Sequence, residues 1–401
     1  MTSHLSRMIV GVGVSGVLLL STMATATATP ADPPPATACP PNTPVTPIPV
    51  LPPPNPEALK AAIGDLTHPQ AVSAQLRVAG PAGRWYGTSG SADLRTGRPV
   101  RPDDRFRAGS ITKLFVAPVV LQLAAERRVD LDAPIQRYLP GLLPADYAPI
   151  SLTNLLDHTS GLPDMVAPEA PDEDSPESIV AHRYDDWTPR RLVETQSGGP
   201  LKFAPGTKQE YRGVNYVLLA LLIERITGRP YGDEIGRRLL DPLDLRDTSF
   251  PGHDSRIRGP QVRGYLRMSD GRLRDITVFN PSSSYGEGEL ISTTRDLDRY
   301  LEALFAGKLL PPAFQEKLFT LPSDDVKMLD GCPARYSQGL QTATVNGVTF
   351  WGKTGEQYGY KSAAFSTRDG QRRFVLSTTA TSRKETERPM TARVAEALTK
   401  P

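Results

Sequence analysis

Segments with the periodicity of strands lie at both ends of this chain, and segments with the periodicity of helices lie between them. Residues 71–80 (AVSAQLRVAG) and 83–93 (GRWYGTSGSAD) alternate in polarity on either side of a short turn, which predicts a β-hairpin. Late in the chain, four short runs separated by turn signals predict strands at residues 336–345, 348–353, 362–369 and 373–380. A closing helix is predicted at residues 389–399.

The region between about residues 110 and 310 is predicted to be largely helical, because apolar residues recur there at helical spacing behind capping residues. The predicted helices are Ser110–Arg127, Ser151–Asp157, Val214–Thr227, Tyr231–Leu240 and Thr293–Ala306. Strands from both chain ends around a helical middle imply an α+β fold, in which one antiparallel sheet built from both ends is flanked by helices. We expect a cleft along the seam between the sheet and the helical middle region.

Two segments of distinct composition precede this domain. An arginine, an apolar run at residues 8–20 and alternating alanines and threonines predict an export signal over residues 1–28. A membrane anchor is the less favoured alternative, because the run is shorter than the ~20 apolar residues that span a bilayer. The proline-rich residues 29–56 predict a semi-rigid linker, which leaves residues 57–401 as one folded domain. We therefore expect a secreted or extracytoplasmic protein with no stable membrane insertion after the signal is cleaved.

Charge and cysteine content limit the partners and cofactors. A formal net charge of +2 over 401 residues provides no basic field for nucleic acid. In an oxidising compartment Cys39 and Cys332 can form a disulfide, which would fasten the linker to the domain. Lipid attachment at Cys39 is less favoured, because this cysteine lies well beyond the apolar run. The sequence has no CxxC pattern and its five histidines are scattered, so no metal site is predicted.

Ser110 and Lys113 are a polar pair at the start of an otherwise apolar helix, in the sequence GSITKLFVAPVVLQLAA. A spacing of three places both side chains on one helical face. We expect desolvation to lower the pKa of the Lys113 amine, so that the neutral amine accepts the proton of the Ser110 hydroxyl. Backbone amides at the helix N-terminus could stabilise an oxyanion beside the serine. The alternative is a serine that caps the helix and a lysine that reaches solvent.

Further motifs follow the S-x-x-K pair in a fixed order. They are residues 151–162 (SLTNLLDHTSGL), 204–231 (beginning APGTKQEYRG), 285–304 (beginning YGEGEL) and 349–370 (beginning TFWGKTGE). Together they resemble the penicillin-recognising serine hydrolases, which include exported D-alanyl-D-alanine carboxypeptidases and class C β-lactamases. The resemblance runs from about Pro56 to the C-terminus, and it implies a β-lactamase/transpeptidase-like fold.

The resemblance implies an acyl-enzyme mechanism. Ser110 would attack the carbonyl between two terminal D-alanines or in a β-lactam ring, and Lys113 and Tyr211 would transfer the proton. The expected activity is that of a serine-type D-alanyl-D-alanine carboxypeptidase on peptidoglycan stem peptides, with β-lactams as acylating inhibitors. No metal or organic cofactor is implied. No G-x-S-x-G sequence is present, which argues against a Ser-His-Asp hydrolase of the α/β type.

The substrate-binding residues are also implied by the resemblance. Backbone amides of Ser110 and Glu356 would hold the oxyanion, and Lys353 and Thr354 would receive the substrate carboxylate. Gly355 would let the substrate lie against the backbone of the strand. His158 is expected to form hydrogen bonds at a helix end rather than to act as a base.

The sequence departs from the family pattern at its second motif. The family usually has Tyr-x-Asn, whose amide binds the peptide group of the substrate, whereas this chain has Tyr211-Arg212-Gly213. Recognition of the acyl-side peptide should weaken by a hydrogen bond worth ~0.5–1.5 kcal/mol. Asn215, two residues later, is expected to be a partial substitute at best.

A second departure is the negative charge that this chain adds near the expected site. Glu356 follows the K-T-G motif, and Glu287 and Glu289 lie in a segment that usually lacks acids. Like charges disfavour one another, so we expect compensation from cations, for which the candidates are Lys353, Lys361 and Arg212. These changes leave open a β-lactamase, an esterase or a hydrolase of amine-bearing substrates on the same scaffold, and also a non-catalytic wall-binding or sensor protein.

Overall fold

The computed structural model describes Cys39, residues 50–164, Asp172, residues 175–383 and residues 388–400. The predicted export signal and most of the predicted linker lie outside the described residues, so both stay predictions. Within the part of the chain that is described, no helix combines the length and apolar character needed to cross a membrane.

The fold comprises helices, strands and three short helical turns. The helices are α1 (Pro56–Gly64), α2 (Lys113–Ala125), α3 (Ile135–Tyr138), α4 (Leu152–Leu156), α5 (Pro176–His182), α6 (Pro189–Thr195), α7 (Val214–Thr227), α8 (Tyr231–Ile235), α9 (Thr294–Phe305), α10 (Pro312–Lys317) and α11 (Met390–Thr399). The strands are β1 (Ala71–Ala79), β2 (Trp85–Asp93), β3 (Arg98–Pro99), β4 (Phe106–Arg107), β5 (Lys208–Gln209), β6 (Tyr265–Arg267), β7 (Leu273–Asp275), β8 (Ile291–Ser292), β9 (Lys327–Met328), β10 (Gln341–Val345), β11 (Val348–Gln357), β12 (Tyr360–Thr367) and β13 (Arg373–Ala380). The short turns are Gly109–Thr112, Gly236–Leu240 and Pro281–Ser284.

One seven-stranded antiparallel sheet joins the two ends of the chain. Its strand order is β10-β11-β12-β13-β1-β2-β3, and the ends meet where β1 pairs with β13, with Leu76 opposite Leu376. This arrangement confirms the predicted α+β class and the sheet built from both termini. The predicted strand at 336–345 is wrong in its first half, because Ser337 and Leu340 close a turn around Gly339, and β10 begins only at Gln341.

The sheet has a helical layer on each face, as the alternation along β13 shows. Phe374 and Leu376 pack in a core with α1 and α11, whereas Val375 between them packs in the larger core that contains α2, α7 and α9. The helix α1 was not predicted. It begins behind Asn55, whose side chain accepts hydrogen bonds from the second and third amides of the helix, and it has proline at its first position.

The helix α2 crosses the larger core and carries the predicted nucleophile motif at its N-terminus. Eleven of its 13 residues are buried, which explains its nearly continuous apolar sequence. Pro118 cannot donate a hydrogen bond to Leu114 four residues earlier, and the Tyr300 hydroxyl donates to that carbonyl instead, at 2.5 Å. The predicted helix Ser110–Arg127 is shorter than expected, since Ser110 lies on a tight turn before α2 and Arg127 adopts a positive φ.

Cys39 and Cys332 form a disulfide, with their Cα atoms 5.4 Å apart. The predicted pairing is confirmed, and lipid attachment at Cys39 would require the thiol that this bond consumes. The bond fastens a residue of the predicted linker to the loop that leads into β10.

Candidate active site

The turn that carries Ser110 packs against the K-T-G strand through two glycines. Gly109 has a φ of +56°, and a Cβ added there would overlap the backbone of Glu356. A Cβ on Gly355 would overlap the carbonyl oxygen of Ala108. Because neither glycine has a side chain, the backbone of β11 lies directly against the tip of the helix. The predicted oxyanion residues, Ser110 and Glu356, are thereby brought together.

The Ser110 hydroxyl is the meeting point of the three predicted catalytic side chains. Tyr211 donates a hydrogen bond from its hydroxyl to Ser110 Oγ at 2.8 Å. Lys113 Nζ donates to the same oxygen at 3.2 Å. Lys113 is 1% exposed, so the alternative of a lysine that reaches solvent is wrong.

Lys113 is also held from a segment far away in the sequence. Its Nζ donates to the backbone oxygen of Glu287 at 2.8 Å and lies 3.2 Å from Oε2 of the same residue. Glu287 was noted in the sequence only as added negative charge. Its partner could not be read from the sequence, because 174 residues separate the two positions.

The pKa shifts of Lys113 and Tyr211 differ from what the sequence led us to expect. Desolvation favours a neutral Lys113, but the oxygen of Tyr211 and the carboxylate of Glu287 outweigh it, so the pKa of Lys113 is raised rather than lowered. Desolvation likewise opposes ionisation of Tyr211, yet the ammonium groups of Lys113 and Lys353 outweigh it and lower the pKa of the phenol. The predicted lowering of the Lys113 pKa is therefore wrong in direction: the surroundings favour the ammonium form of Lys113 and the phenolate form of Tyr211.

Lys353 and Thr354 lie on β11 beside the tyrosine. Lys353 is 5% exposed, its Nζ lies 4.5 Å from the centroid of the Tyr211 ring, and it donates to the backbone oxygen of Thr354 at 3.0 Å. Burial lowers the pKa of Lys353. The Thr354 hydroxyl lies 3.3 Å from Oε1 of Gln341 on the neighbouring strand β10. Gln341 and Tyr336 line the same cleft, and no sequence motif pointed to either residue.

A cavity of about 560 Å³ opens at Ser110. One end is bordered by Ser110, Tyr211 and Thr354, and the other continues to apolar residues beneath α11, including Met390. Only the end at Ser110 bears on the chemistry, since the apolar end carries no group that could react.

His158 supports the tyrosine from behind. The ring of His158 lies 4.6 Å from that of Tyr211, and its Nδ1 accepts hydrogen bonds from the Arg212 amide and from Asn215, both at 3.2 Å. Burial and the charge of Lys113 hold the pKa of His158 well below its usual value. His158 is thus a neutral acceptor, in agreement with its expected structural role. Asn215 is buried behind it, so the suggestion that Asn215 partly replaces the missing amide is wrong.

The space directly beside Gly213 is filled by Glu287. A Cβ added to Gly213 would overlap both carboxylate oxygens of Glu287. The carboxylates of the other two acids, Glu289 and Glu356, have different partners. Glu289 is buried and accepts hydrogen bonds from the Tyr231 hydroxyl and the Gly252 amide, while the Glu356 carboxylate lies 3.5 Å from the guanidinium of Arg383.

Of the predicted compensating cations, Lys353 has a favourable electrostatic interaction with Glu287, whereas Arg212 and Lys361 have other partners. Arg212 pairs with Asp164, and Lys361 donates to the backbone oxygen of Arg383 at 3.2 Å. Lys353 lies beside Tyr211. The cation that forms an ion pair with Glu287 is Lys113, the member of the S-x-x-K pair.

Comparison with known proteins agrees with this geometry. Residues 59–399 match the family described as Beta-lactamase. The chain belongs to the Beta-lactamase family. The match confirms the predicted relationship to the penicillin-recognising serine hydrolase family, which includes β-lactamases and penicillin-binding proteins.

Individual relatives within the Beta-lactamase family differ in activity. Esterase EstB of Burkholderia gladioli is 33% identical over 245 residues, which cover 54% of this chain and 61% of EstB. The D-alanyl-D-alanine-carboxypeptidase/endopeptidase AmpH of Escherichia coli (strain K12) is 28% identical over 216 residues, 52% of each chain. This Beta-lactamase family chain thus spans between about half and three fifths of the curated relatives it matches.

The similarity to one solved structure is more extensive. The crystal structure of a D-stereospecific amidohydrolase from Streptomyces sp. superposes with a TM-score of 0.73, at 32% identity, over 86% of this chain and 98% of that one. The predicted β-lactamase/transpeptidase-like fold of this Beta-lactamase family member is therefore confirmed.

Proposed function

We propose that this chain hydrolyses the amide bond that follows a D-amino-acid residue, through an acyl-enzyme formed on Ser110. The observation that carries the proposal is the convergence of Tyr211 and Lys113 on Ser110 Oγ, at 2.8 and 3.2 Å, beside the backbone of β11. Specificity for D-residues is supported by two relatives, since AmpH and the Streptomyces amidohydrolase are both named for hydrolysis at D-residues.

Acylation begins with transfer of the Ser110 proton to the Tyr211 phenolate. The serine oxygen then bonds to the substrate carbonyl carbon, and the carbonyl oxygen becomes an anion that the backbone amides of Ser110 and Glu356 bind. As the tetrahedral intermediate collapses, the carbon–nitrogen bond breaks and the Tyr211 hydroxyl gives its proton to the leaving amine. Lys113 acts through the tyrosine, by stabilising its anion.

Deacylation repeats these steps with water as the nucleophile. Tyr211 accepts a proton from water, and the hydroxide oxygen bonds to the ester carbon. The ester bond to Ser110 breaks, the serine oxygen recovers the proton from Tyr211, and the carboxylic acid product leaves. One water is consumed for each amide bond, and the enzyme returns to its starting state.

The first candidate substrate is a peptidoglycan stem peptide that ends in D-alanyl-D-alanine. The ammonium of Lys353 and the hydroxyl of Thr354, which line the cavity with Ser110, would bind the carboxylate of the departing D-alanine. β-Lactams would acylate the same serine. Carboxypeptidase activity on peptidoglycan requires an exported protein, and the signal predicted over residues 1–28 is consistent with export.

A second candidate is the hydrolysis of simple D-amino-acid amides and esters. The exchange of the usual asparagine for Gly213, with the Glu287 carboxylate in its place, favours this candidate, because a carboxylate cannot donate a hydrogen bond to an acyl-side peptide carbonyl. The similarity to EstB and to the amidohydrolase is in line with such substrates.

Labelling with a fluorescent penicillin tests the acyl-enzyme. We expect covalent labelling of the wild type, its loss in Ser110→Ala and its retention in Ser269→Ala, a control at an exposed serine. Release of D-alanine from a stem pentapeptide and from D-alanine amide then separates the two candidates, and nitrocefin and short-chain nitrophenyl esters report β-lactamase and esterase activity. A wild-type protein that is neither labelled nor active on any of these substrates would identify a non-catalytic binding protein.

A further inference from the structure

The acyl side of the active site carries a carboxylate where the family pattern expects an amide. The side chain that position 213 lacks would occupy the space now filled by both carboxylate oxygens of Glu287. Glycine at 213 and glutamate at 287 are thus complementary, although they lie on different segments of the chain. The exchange replaces a group that can donate and accept hydrogen bonds with one that only accepts.

Glu287 is held in place by its own turn. Its amide donates to the Ser284 carbonyl at 3.1 Å, and the Gly288 amide donates to the same oxygen at 2.9 Å. Gly286 has a φ of +70°, and its amide is bonded to the Tyr231 hydroxyl at 3.1 Å. These bonds fix the backbone of the turn, and the contact between Oε2 and Lys113 Nζ at 3.2 Å holds the carboxylate in place, as a substrate-recognition group requires.

The carboxylate is partly exposed and lies close to the nucleophile. The Glu287 side chain is 24% exposed, while its Oε2 lies 3.2 Å from Lys113 Nζ, which in turn lies 3.2 Å from Ser110 Oγ. A single ammonium group therefore separates the carboxylate from the nucleophilic oxygen. In an amino-acid substrate the α-nitrogen is two bonds from the carbonyl carbon under attack, so it would reach this carboxylate.

Electrostatics select the kind of group that Glu287 would bind. Among the described residues the cation that pairs with it is Lys113, whose charge is shared with the Tyr211 oxygen. Lys113 and Lys353 together face the Tyr211 oxygen and the Glu287 carboxylate. Lys113 contacts Oε2 of that carboxylate, so Oε1 can accept a hydrogen bond from an ammonium group of the substrate. A peptide carbonyl in the same place would meet a carboxylate at short range and be repelled.

The neighbouring acids are less suited to this role. The carboxylate of Glu356 is paired with Arg383, and that of Glu289 is buried against Tyr231 on the other side of the loop. Glu287 therefore remains as the acid that can face the acyl residue of a bound substrate.

We infer that Glu287 binds the free α-ammonium group of the residue whose carbonyl Ser110 attacks. The inference rests on the proposed function and specifies its substrate class: D-amino-acid amides, esters and peptides with an unblocked N-terminal residue. Substrates whose scissile residue is N-acylated, such as the stem peptides of the first candidate, are disfavoured, because their amide nitrogen carries no charge and their acyl carbonyl faces an acid.

The test compares D-alanine p-nitroanilide with its N-acetyl derivative. We expect wild-type kcat/KM to favour the free amine by at least about tenfold, and Glu287→Gln to reduce that preference by about 10- to 100-fold, the range for a charge-assisted hydrogen bond. The comparison uses the ratio of kcat/KM for the two substrates. Any effect of the variant on Lys113 and Tyr211 changes both values alike and therefore cancels in the ratio. Glu210→Gln is the control, since this acid is adjacent to Tyr211 in sequence but pairs with Lys202 at 2.6 Å. The ratio of kcat/KM for the two substrates in this variant should equal that of the wild type.

The pH dependence gives a second readout that loss of structure would not reproduce. The wild-type preference for the free amine should decline above a pH of about 8, where an α-ammonium group loses its proton, and Glu287→Gln should lack this decline. Gly213→Asn, which would displace the carboxylate, should lower the preference in the same direction.

The outcomes distinguish the inference from the proposed function. If penicillin labels Ser110 and the N-acetyl substrate is cleaved as well as the free amine, or if Glu287→Gln keeps the wild-type preference, the inference is overturned while the acyl-enzyme stands. If Ser110 is not labelled and neither substrate is cleaved, the proposed function itself is overturned.

Discussion

Lys113 and Tyr211 contact the same oxygen atom, and their surroundings favour the charged form of each. The Tyr211 hydroxyl lies 2.8 Å and Lys113 Nζ 3.2 Å from Ser110 Oγ, and Nζ lies 5.0 Å from the centroid of the tyrosine ring. The pKa of Lys113 is raised by the tyrosine oxygen and Glu287 against desolvation, and the pKa of Tyr211 is lowered by the two lysines against desolvation. In the proposed mechanism these shifts favour the phenolate as the proton acceptor and the lysine as its counter-ion.

The first prediction concerns which of these groups accepts the proton. We expect Tyr211→Phe to slow acylation by a fluorescent penicillin by about 10²–10⁴-fold, the usual contribution of a general base. Lys113→Arg, which keeps a charge beside the tyrosine, should retain more acylation than Lys113→Ala. Single-turnover labelling measures both effects.

The control for this experiment is Tyr336→Phe, which removes a phenol from the same cleft that does not contact Ser110. The acylation rate should fall much less in Tyr336→Phe than in Tyr211→Phe. Near-normal labelling of Tyr211→Phe, together with abolished labelling of Lys113→Ala, would show instead that the amine is the base.

The second prediction concerns the pH dependence of kcat/KM for a neutral ester substrate. Activity should rise with pH as Tyr211 ionises, at a pKa below that of an ordinary phenol, and fall when Lys353, whose pKa is lowered by burial, loses its charge. Removing the charge in Lys353→Met should shift the rising limb to higher pH, because an ammonium 4.5 Å from the tyrosine ring no longer stabilises its anion. A rising limb at the same pH in wild type and variant would contradict this account.

The overall fold and the Ser110–Lys113 pair were predictable from local patterns, whereas Tyr211 was added to the candidate site by the resemblance to a known family. Alternating polarity fixed the strands at both chain ends, and the order of the motifs brought Ser110, Lys113 and Tyr211 together. The helix α1 was missed because it begins at Pro56, within the proline-rich segment that was interpreted as linker. Short helices whose apolar face is only a few residues wide give a weak periodic signal.

The charge state of Lys113 was not predictable, because it depends on a contact between segments 174 residues apart. Glu287 and Glu289 illustrate the limit, since they are two residues apart and were treated as equivalent. One forms an ion pair with Lys113, whereas the other is buried against Tyr231. A turn at Gly286 and Gly288 sets these directions, and composition alone does not reveal them.

The third prediction concerns the close approach of the K-T-G strand to the helix tip. In Gly355→Ala the new Cβ would overlap the backbone oxygen of Ala108, and backbone cannot move aside as a flexible side chain can. We expect the free energy of unfolding to fall by about 1–3 kcal/mol. The rate of acylation should fall by more than this loss of stability explains, because the Glu356 amide moves away from Ser110. Thermal unfolding and penicillin labelling measure the two effects.

Gly64→Ala is the matched control, because a Cβ at that glycine, the last residue of α1, has no atom within 4 Å. It should leave labelling unchanged and alter Tm little. If Gly355→Ala labels at the wild-type rate, the glycine is not needed to position the oxyanion-binding amides.

The fourth prediction concerns the pH dependence of stability and arises from Asp157, a buried residue at the end of α4. Its Oδ1 accepts hydrogen bonds from the amide and the hydroxyl of Thr159, at 3.1 and 2.7 Å, but burial outweighs them and raises the pKa of Asp157 to about 7. Because the pKa is higher in the folded state than in the unfolded state, the folded protein binds more protons between about pH 4 and pH 7. This carboxyl therefore makes the protein less stable as pH rises through that interval, by at most about 4 kcal/mol.

Asp157→Asn should remove that decline, since the asparagine keeps an oxygen for both hydrogen bonds from Thr159 and never ionises. We expect the variant to have a higher Tm than the wild type at pH 8, and a much smaller difference at pH 5, where the buried carboxyl is already protonated. Asp103→Asn, at an exposed position, provides the comparison and should show the same change in Tm between the two pH values as the wild type. If the Tm of Asp157→Asn falls below that of the wild type at pH 8, the buried carboxylate contributes stability as an anion, and the proposed direction of the effect is wrong.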